Sequence, residues 1–425
     1  MEEWKEYKLG DICGLVPGFA FKSKDFGRGF DIAIKIKDIR PPYIETKDAD
    51  AVDISQYDLK KLTKFLVHKG EFLLAMTGAT IGKIGRYVNE EPAYVNQRVL
   101  IFKDIGSVSY DYLYYYLSTE CFQLYVNNHV DSQSAQPNIS SNTIGKYTIR
   151  VPSFQVQQHI ASILKSIDNQ IDLNRRINDN LEQQAQALFK SWFVDFEPFK
   201  NGEFVESELG RIPKGWCVGV YNDIISDTVS GDWGKEKEEG NYTHRVACVR
   251  GCDFQDIKNG LRGKTPERFI LEKNFQNKHF CDKDMLVEIS GGTASVSTGR
   301  VCPVSQQLID KYDGDIVCTN FCKLVRPKTG YGAYLYYSWL NKYSNKVMFG
   351  YENGTSGIKN FRIKDFTSIE PVILPPIKMV EEFQNHIDSI QKQIQTRGSE
   401  SHNLAQLRDT LLPRLMSGEL KVNEI

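Results

Sequence analysis

Three stretches of the chain carry residue types that could do chemistry. "RPPY" (Arg40 to Tyr43) approaches the Asn/Asp-Pro-Pro-aromatic motif of adenine methyltransferases. That motif needs a hydrogen-bond acceptor in its first position, and an arginine only donates. "TGATIGKIG" (residues 77 to 85) contains a Gly-Lys pair, yet three residues rather than four separate its glycines and Ile84 follows the lysine, so it is no phosphate-cradling loop. Its glycines are expected to make tight β turns. Cys248/Cys252 and Cys318/Cys322 have the wrong spacing for a zinc site and no histidine pair follows them. In an extended "CTNFC", residues i and i+4 share a face, so these are expected to be small buried thiols. The seven histidines show no metal-ligand spacing, and no Gly-x-Ser-x-Gly is present. The chain is therefore expected to be no enzyme, with no metal or cofactor of its own. Binding chemistry remains.

The elements that would position binding residues emerge from the length. At 425 residues the chain exceeds one ordinary core. No run of about 18 apolar residues occurs, and Met1, Glu2, Glu3, Trp4 and Lys5 lack the plan of a signal peptide, so a cytoplasmic location is expected. The formal net charge is −1, which gives no global preference for polyanions. Any such surface must be local.

An internal repeat organises the rest. Trp4 with "LGDI" answers to Trp216 with "YNDI", and "LLAMTGAT" (73 to 80) to "LVEISGGT" (286 to 293). "YVNQRVLIF" matches "VCTNFCKLV", and "DYLYYYL" matches "AYLYYSWL", always in the same order. Each copy opens with short alternating apolar segments and Gly/Asn/Asp turns, as in "DIAIKIKDI" (31 to 39), where isoleucines and lysines are expected on opposite strand faces. A short helix is expected around "DYLYYYLSTECFQLY". Each copy then passes a proline (Pro152; Pro375-Pro376) into a long helix, prolines being suited to a first turn.

Both helices carry a seam with alternating steps of four and three. In the first it runs Ile160, Leu164, Ile167, Ile171, Asn174, Asn178, Leu181, Ala185, Leu188; in the second, Phe383, Ile387, Ile390, Ile394, Arg397, Ser401, Leu404, Arg408, Leu411. Every position in the second follows its counterpart by one constant interval, as Ile394 follows Ile171, whereas the intervals between the β-rich parts drift. Nine unbroken positions predict a paired coil. The expected fold class is α+β: two mainly β domains in tandem repeat, separated by two long helices that form an antiparallel coiled coil with pseudo-twofold symmetry. The expected segments are residues 1–151, helix 152–197, linker and second domain 198–374, and helix with tail 375–425. Such symmetry sets Asn174 beside Arg397, flanked by Asn178 and Ser401, as a polar layer fixing register.

"LFKSWFVDFEPF", "ELGRIPKGW", "VPSFQVQQHIASILKSID" and "LRDTLLPRLMSGEL" resemble conserved regions of the specificity (S) subunits of type I restriction-modification systems. "VPGFAFKSKDF" and "SAQPNIS" resemble target-recognition domains of that family; the second domain departs from the pattern with "GTSGIKNF". The resemblance implies that each β-rich domain is a target-recognition domain reading one half of a bipartite, asymmetric double-stranded DNA site. It implies that the helices fix the distance between the halves. It also implies two methyltransferase (M) subunits and restriction/translocase (R) subunits as partners, with S-adenosylmethionine, ATP and Mg on those partners. At about 1.5 Å per residue each helix would span roughly 50 Å, more than the ~34 Å of one DNA turn.

DNA readers need cations for phosphates and Arg, Lys, Asn or Gln for base edges. The first domain offers Lys22, Lys24, Lys35, Lys37, Arg40, Lys83 and Arg86, with Gln133, Gln136 and Asn138 in a polar loop. The second offers Arg250, Lys258, Arg262, Lys264 and Arg268, then Lys359 and Arg362. A rival reading is a scaffold of two β-rich modules binding protein or glycan, for which the Tyr114 to Tyr116 cluster would supply an aromatic surface.

Overall fold

The computed structural model describes residues 4–131, 137–293, 295–354 and 358–421. It has two compact units. One holds the described residues up to Asn169 together with those from Ala405; the other runs from Gln170 to Leu404. Both boundaries fall inside the long helices, Phe154–Phe193 and Ile377–Ser417. The fold is α+β with two mainly β domains in tandem, and the end of the second helix belongs to the unit in which the chain starts.

The repeat recurs in strand order. In the first unit Cys13–Pro17, Val99–Asp104, Phe72–Ala75 and Ile84–Arg86 are neighbours in one sheet, which Tyr43–Ile44 and Ile39–Arg40 extend. In the second, Ile225–Ser230, Cys322–Pro327, Met285–Glu288 and Val301–Pro303 follow the same order. A parallel pair recurs too: Phe26–Ile34 beside Ala93–Val95, and Tyr242–Val249 beside Ile316–Cys318. Each copy closes by joining its first strand to the strand before the long helix, Lys5–Lys8 to Thr148–Val151 and Cys217–Val220 to Pro371–Leu374. Ladders ending so near the helix start leave the helix no freedom of register against its own domain.

Two local expectations need correction. Lys37 does not share a strand face with Lys35, because the strand ends at Ile34 and a 3-10 turn takes over at Ile36–Asp38, capped by the Asp38 carboxylate on Lys35 N at 2.8 Å. "CTNFC" is not one extended segment either: Thr319 to Phe321 form a turn between the strands ending at Cys318 and starting at Cys322. Both thiols are nevertheless buried, and burial pushes that of Cys322 up to about 12.

Within the first unit Ile160, Ala161 and Leu164 of the first helix share a core with Leu415 and Met416 of the second. Within the other, Phe189 and Phe193 pack with Phe383, centroids 6.0 and 5.1 Å apart. In each unit partners later in one helix are earlier in the other, so the segments run antiparallel. The aromatic run after the first helix is core rather than linker: Phe193, Phe196 and Phe199 all pack on Trp216, at 5.9, 5.6 and 5.0 Å. Full burial of such a ring, as at Phe193, contributes about 2–3 kcal/mol, and the half-buried Phe196 and Phe199 contribute less. The cost of restarting the fold at residue 216 is thereby offset locally.

Candidate nucleic-acid interface

The tyrosine cluster belongs to the interior. Tyr114 and Tyr115 are buried on the helix Tyr110–Leu117, and the Tyr115 hydroxyl donates to Asp168 at 2.8 Å. An aromatic sugar-binding surface cannot be built from rings already committed to a core.

The basic residues divide by what else they touch. Lys22, Lys24 and Lys83 are exposed in the first unit and form no ion pair among the described residues. Lys22 and Lys24 flank and occupy a single 3-10 turn, Ser23–Asp25, anchored by the Tyr57 hydroxyl on buried Asp25. Lys35 and Lys37 both pair with Asp50, at 2.7 and 3.0 Å, and hydrogen bonding by these lysines lowers its pKa. Arg40 pairs with Glu45 at 2.5 Å on the exposed surface. Arg86 is not a turn residue free to contact DNA. It ends the strand Ile84–Arg86, lies over the Tyr114 ring at 4.2 Å and pairs with Asp111 at 2.6 Å. Gln133 and Gln136 lie outside the described residues, whereas Asn138 is exposed and bridges Thr77.

In the second unit Arg262 and Lys264 are exposed, Arg262 over the Tyr312 ring at 4.4 Å. Arg250 instead serves the fold, with Asp253 at 3.0 Å and the Lys264 carbonyl at 2.7 Å. Arg268 is only 8 % exposed, lying over Trp233 at 3.8 Å with Glu236 at 3.2 Å. Strand alternation turns it inward from Glu267–Leu271, a burial that the loop assignment from sequence missed. Lys258 is half-buried near Tyr336, Lys359 pairs with Glu352 at 2.8 Å, and Arg362 with Asp365 at 2.5 Å.

The polar seam exists with different partners. Asn174 and Asn178 are 1 % and 4 % exposed. Asn174 donates to Glu400 at 3.1 Å, three residues beyond the expected Arg397, whose buried Nε has no hydrogen-bond partner among the described residues. Asn178 donates to the Ile394 and Asn259 carbonyls at 3.2 and 3.1 Å; Ser401 is half-buried. The reason is a loop that the seam pattern could not announce. At Gly398 a Cβ would stand 2.3 Å from the Gly260 carbonyl, and Gly260 has a φ of +74°. The domain's own backbone occupies the space beside the seam, so the asparagine amide serves that backbone and not a cross-helix guanidinium.

Of a second polar cluster, only Asn138 was among the residues picked out from the sequence. Thr77, Gln97, Arg98, Asn138 and Ser140 line one open depression of the first unit. The aligned "YVNQRVLIF" and "VCTNFCKLV" contained the signal, since the residues between the matched strands must form the turns.

Among the described residues, no three His, Cys, Asp or Glu side chains gather to hold a metal, and no helix is long and apolar enough to cross a membrane. The family model of the type I restriction modification DNA specificity domain matches residues 1–183. The MjaIX specificity subunit of Methanocaldococcus jannaschii is 28 % identical across 100 % of this chain and 95 % of its own length. Along its whole length the chain is similar to type I restriction-modification specificity subunits. The HindI specificity subunit of Haemophilus influenzae is 23 % identical over 99 % of this chain and 100 % of its own. A crystal structure of a type I S subunit from M. genitalium shares the fold, with a TM-score of 0.50, 12 % identity and coverage of 97 % and 96 % of the two chains. The similarity runs through both copies of the repeat, and not the first alone.

Proposed function

We infer that this chain is a specificity subunit that reads a bipartite, asymmetric DNA site, one half with each β-rich domain, and brings methyltransferase and restriction subunits to it. The observation that carries the reading is the duplicated strand order on two long antiparallel helix segments, in a chain aligned end to end with specificity subunits. Two methyltransferase subunits match the two copies. The chain itself is non-catalytic and works in the cytoplasm; S-adenosylmethionine, ATP and Mg reside on the partners. The cations Lys22, Lys24, Lys83 and Lys264, which form no ion pair among the described residues, suit phosphate contacts, which position a protein without reading sequence.

Methylome sequencing of cells carrying the system tests the reading. A bipartite adenine-methylated motif should depend on this chain. Exchanging residues 1–151 for those of a relative should change one half only, and removing one heptad from both helices should change the gap. A motif indifferent to the chain, or binding to random duplex DNA that ignores added salt, would sink it.

A further inference from the structure

In both copies three loops are tied into one frame by the same backbone hydrogen bonds. In the first, Met76 N donates to the Arg98 carbonyl at 3.0 Å, Ile139 N to the Met76 carbonyl at 3.0 Å, and Phe19 N to the Val95 carbonyl at 2.8 Å. In the second, Ile289 N donates to the Phe321 carbonyl at 2.9 Å, Phe361 N to the Ile289 carbonyl at 2.8 Å, and Asp232 N to the Cys318 carbonyl at 2.7 Å. A glycine stands at the same place in each: a Cβ on Gly18 would lie 2.2 Å from the Asn96 carbonyl oxygen, and one on Gly231 would lie 2.1 Å from that of Thr319. No side chain fits there unless the frame moves.

The frame is shared, but what it presents is not. The first copy exposes Gln97, Arg98 and Asn138; the second exposes Asn320, Phe321 and Asn360. Phe321 is 62 % exposed, although its neighbours Cys318 and Cys322 are buried. An apolar ring at the tip of the turn between the strands ending at Cys318 and starting at Cys322 contributes nothing to that core and is open to contact from outside.

We propose that these six positions are the base-reading residues of the two domains, a proposal that rests on the DNA-reading function above. Glutamine and asparagine amides match the donor and acceptor edge of adenine, the Arg98 guanidinium matches the two acceptors of guanine, and Phe321 can meet only an apolar feature such as a thymine methyl. The same backbone frame carrying different side chains would give two half-sites of different sequence.

The test uses the full chain expressed with its methyltransferase partner, reading the adenine-methylation motif of wild type and of two double variants, Gln97→Ala/Arg98→Ala and Asn320→Ala/Phe321→Ala. The first should relax one or two positions of one half-site by roughly ten- to a hundredfold and leave the other half intact; the second should do the reverse. An unchanged motif in both variants overturns the proposal while leaving the DNA-reading function standing. A wild-type chain that directs no bipartite motif overturns that function itself. Should a variant methylate nothing, competition binding by the full chain decides, with duplexes altered in one half-site at a time. Loss of discrimination at one half supports the proposal; discrimination kept at both halves, or lost at both, refutes it.

Discussion

The two units hold their helices by different means. In the first, Asp168 accepts from Arg408 and from the Tyr115 hydroxyl, both at 2.8 Å, while Asp111 bridges Arg86 and Lys165. In the second, the residue standing where Arg408 stands is Ala185, and the residue standing where Asp168 stands is Gln391. Contact there is by aromatic packing, by the Gly260 backbone on Gly398, and by the buried Gln384 accepting from Ala333 N at 2.7 Å. One helix position even carries opposite charges in the two copies: Lys165 meets Asp111 of its domain, whereas Asp388 meets Lys283, from a different place in the repeat, at 3.1 Å. A duplicated scaffold keeps the places where helix and domain must touch and exchanges the interactions that fill them. Reversed charges also discourage either domain from docking on the other's helix.

That contrast can be broken most severely in the second unit. Gly398→Val should destabilise it by about 3 kcal/mol, because no rotamer clears the Gly260 backbone; calorimetry should show a lower-melting transition. Unchanged melting would mean that the close approach holds nothing.

Arg408→Ala should cost the first unit about 2 kcal/mol, less than a fully buried pair would because its side chain is 24 % exposed. Adding Asp168→Gln, the second copy's residue, should recover more than half of that loss in a double-mutant cycle. Purely additive effects would show that the pair is incidental.

Asp284 is a charge held within the second unit and 3 % exposed; burial pushes its pKa up to about 6, against the backbone N–H of Cys281 and nearby Arg326. Between the unfolded value of 3.8 and about 6 the folded state holds the extra proton, so stability falls as pH rises through that window. Asp284→Asn should therefore stabilise by about 1–2 kcal/mol at pH 8 and lose this advantage near pH 4. Denaturant melts at the two pH values check the sign.

The smallest effect concerns the seam. Asn178→Leu strands the Asn259 carbonyl and should cost about 1 kcal/mol, read as faster amide exchange in the loop around Asn259. A change at Asn178 that melted both units equally would contradict the local role.

Much of the architecture was legible because it rests on periodicity. The steps of four and three from Ile160 to Leu188 state which helix face is buried, and the constant interval to the second helix states that the faces correspond. Strand repeats around "LLAMTGAT" and "LVEISGGT" were equally visible, since neighbouring residues and their alternation are properties of one segment. Individual cations were less legible. Arg86, Arg250 and Arg268 look in sequence like Lys22 or Lys264, and only the acidic and aromatic groups brought to them by distant segments commit them to the fold.

The sequence by itself determined the duplication, the two long helices and their polar midpoint, because each is written in the order and spacing of nearby residues. Tertiary structure alone decided that Asn174 meets Glu400, that Asn178 serves the Asn259 backbone, and that Gln97 and Arg98 share a depression with Asn138. Those outcomes depend on which backbone from elsewhere in the chain fills the adjoining space, a quantity set by packing between segments and carried by no local pattern.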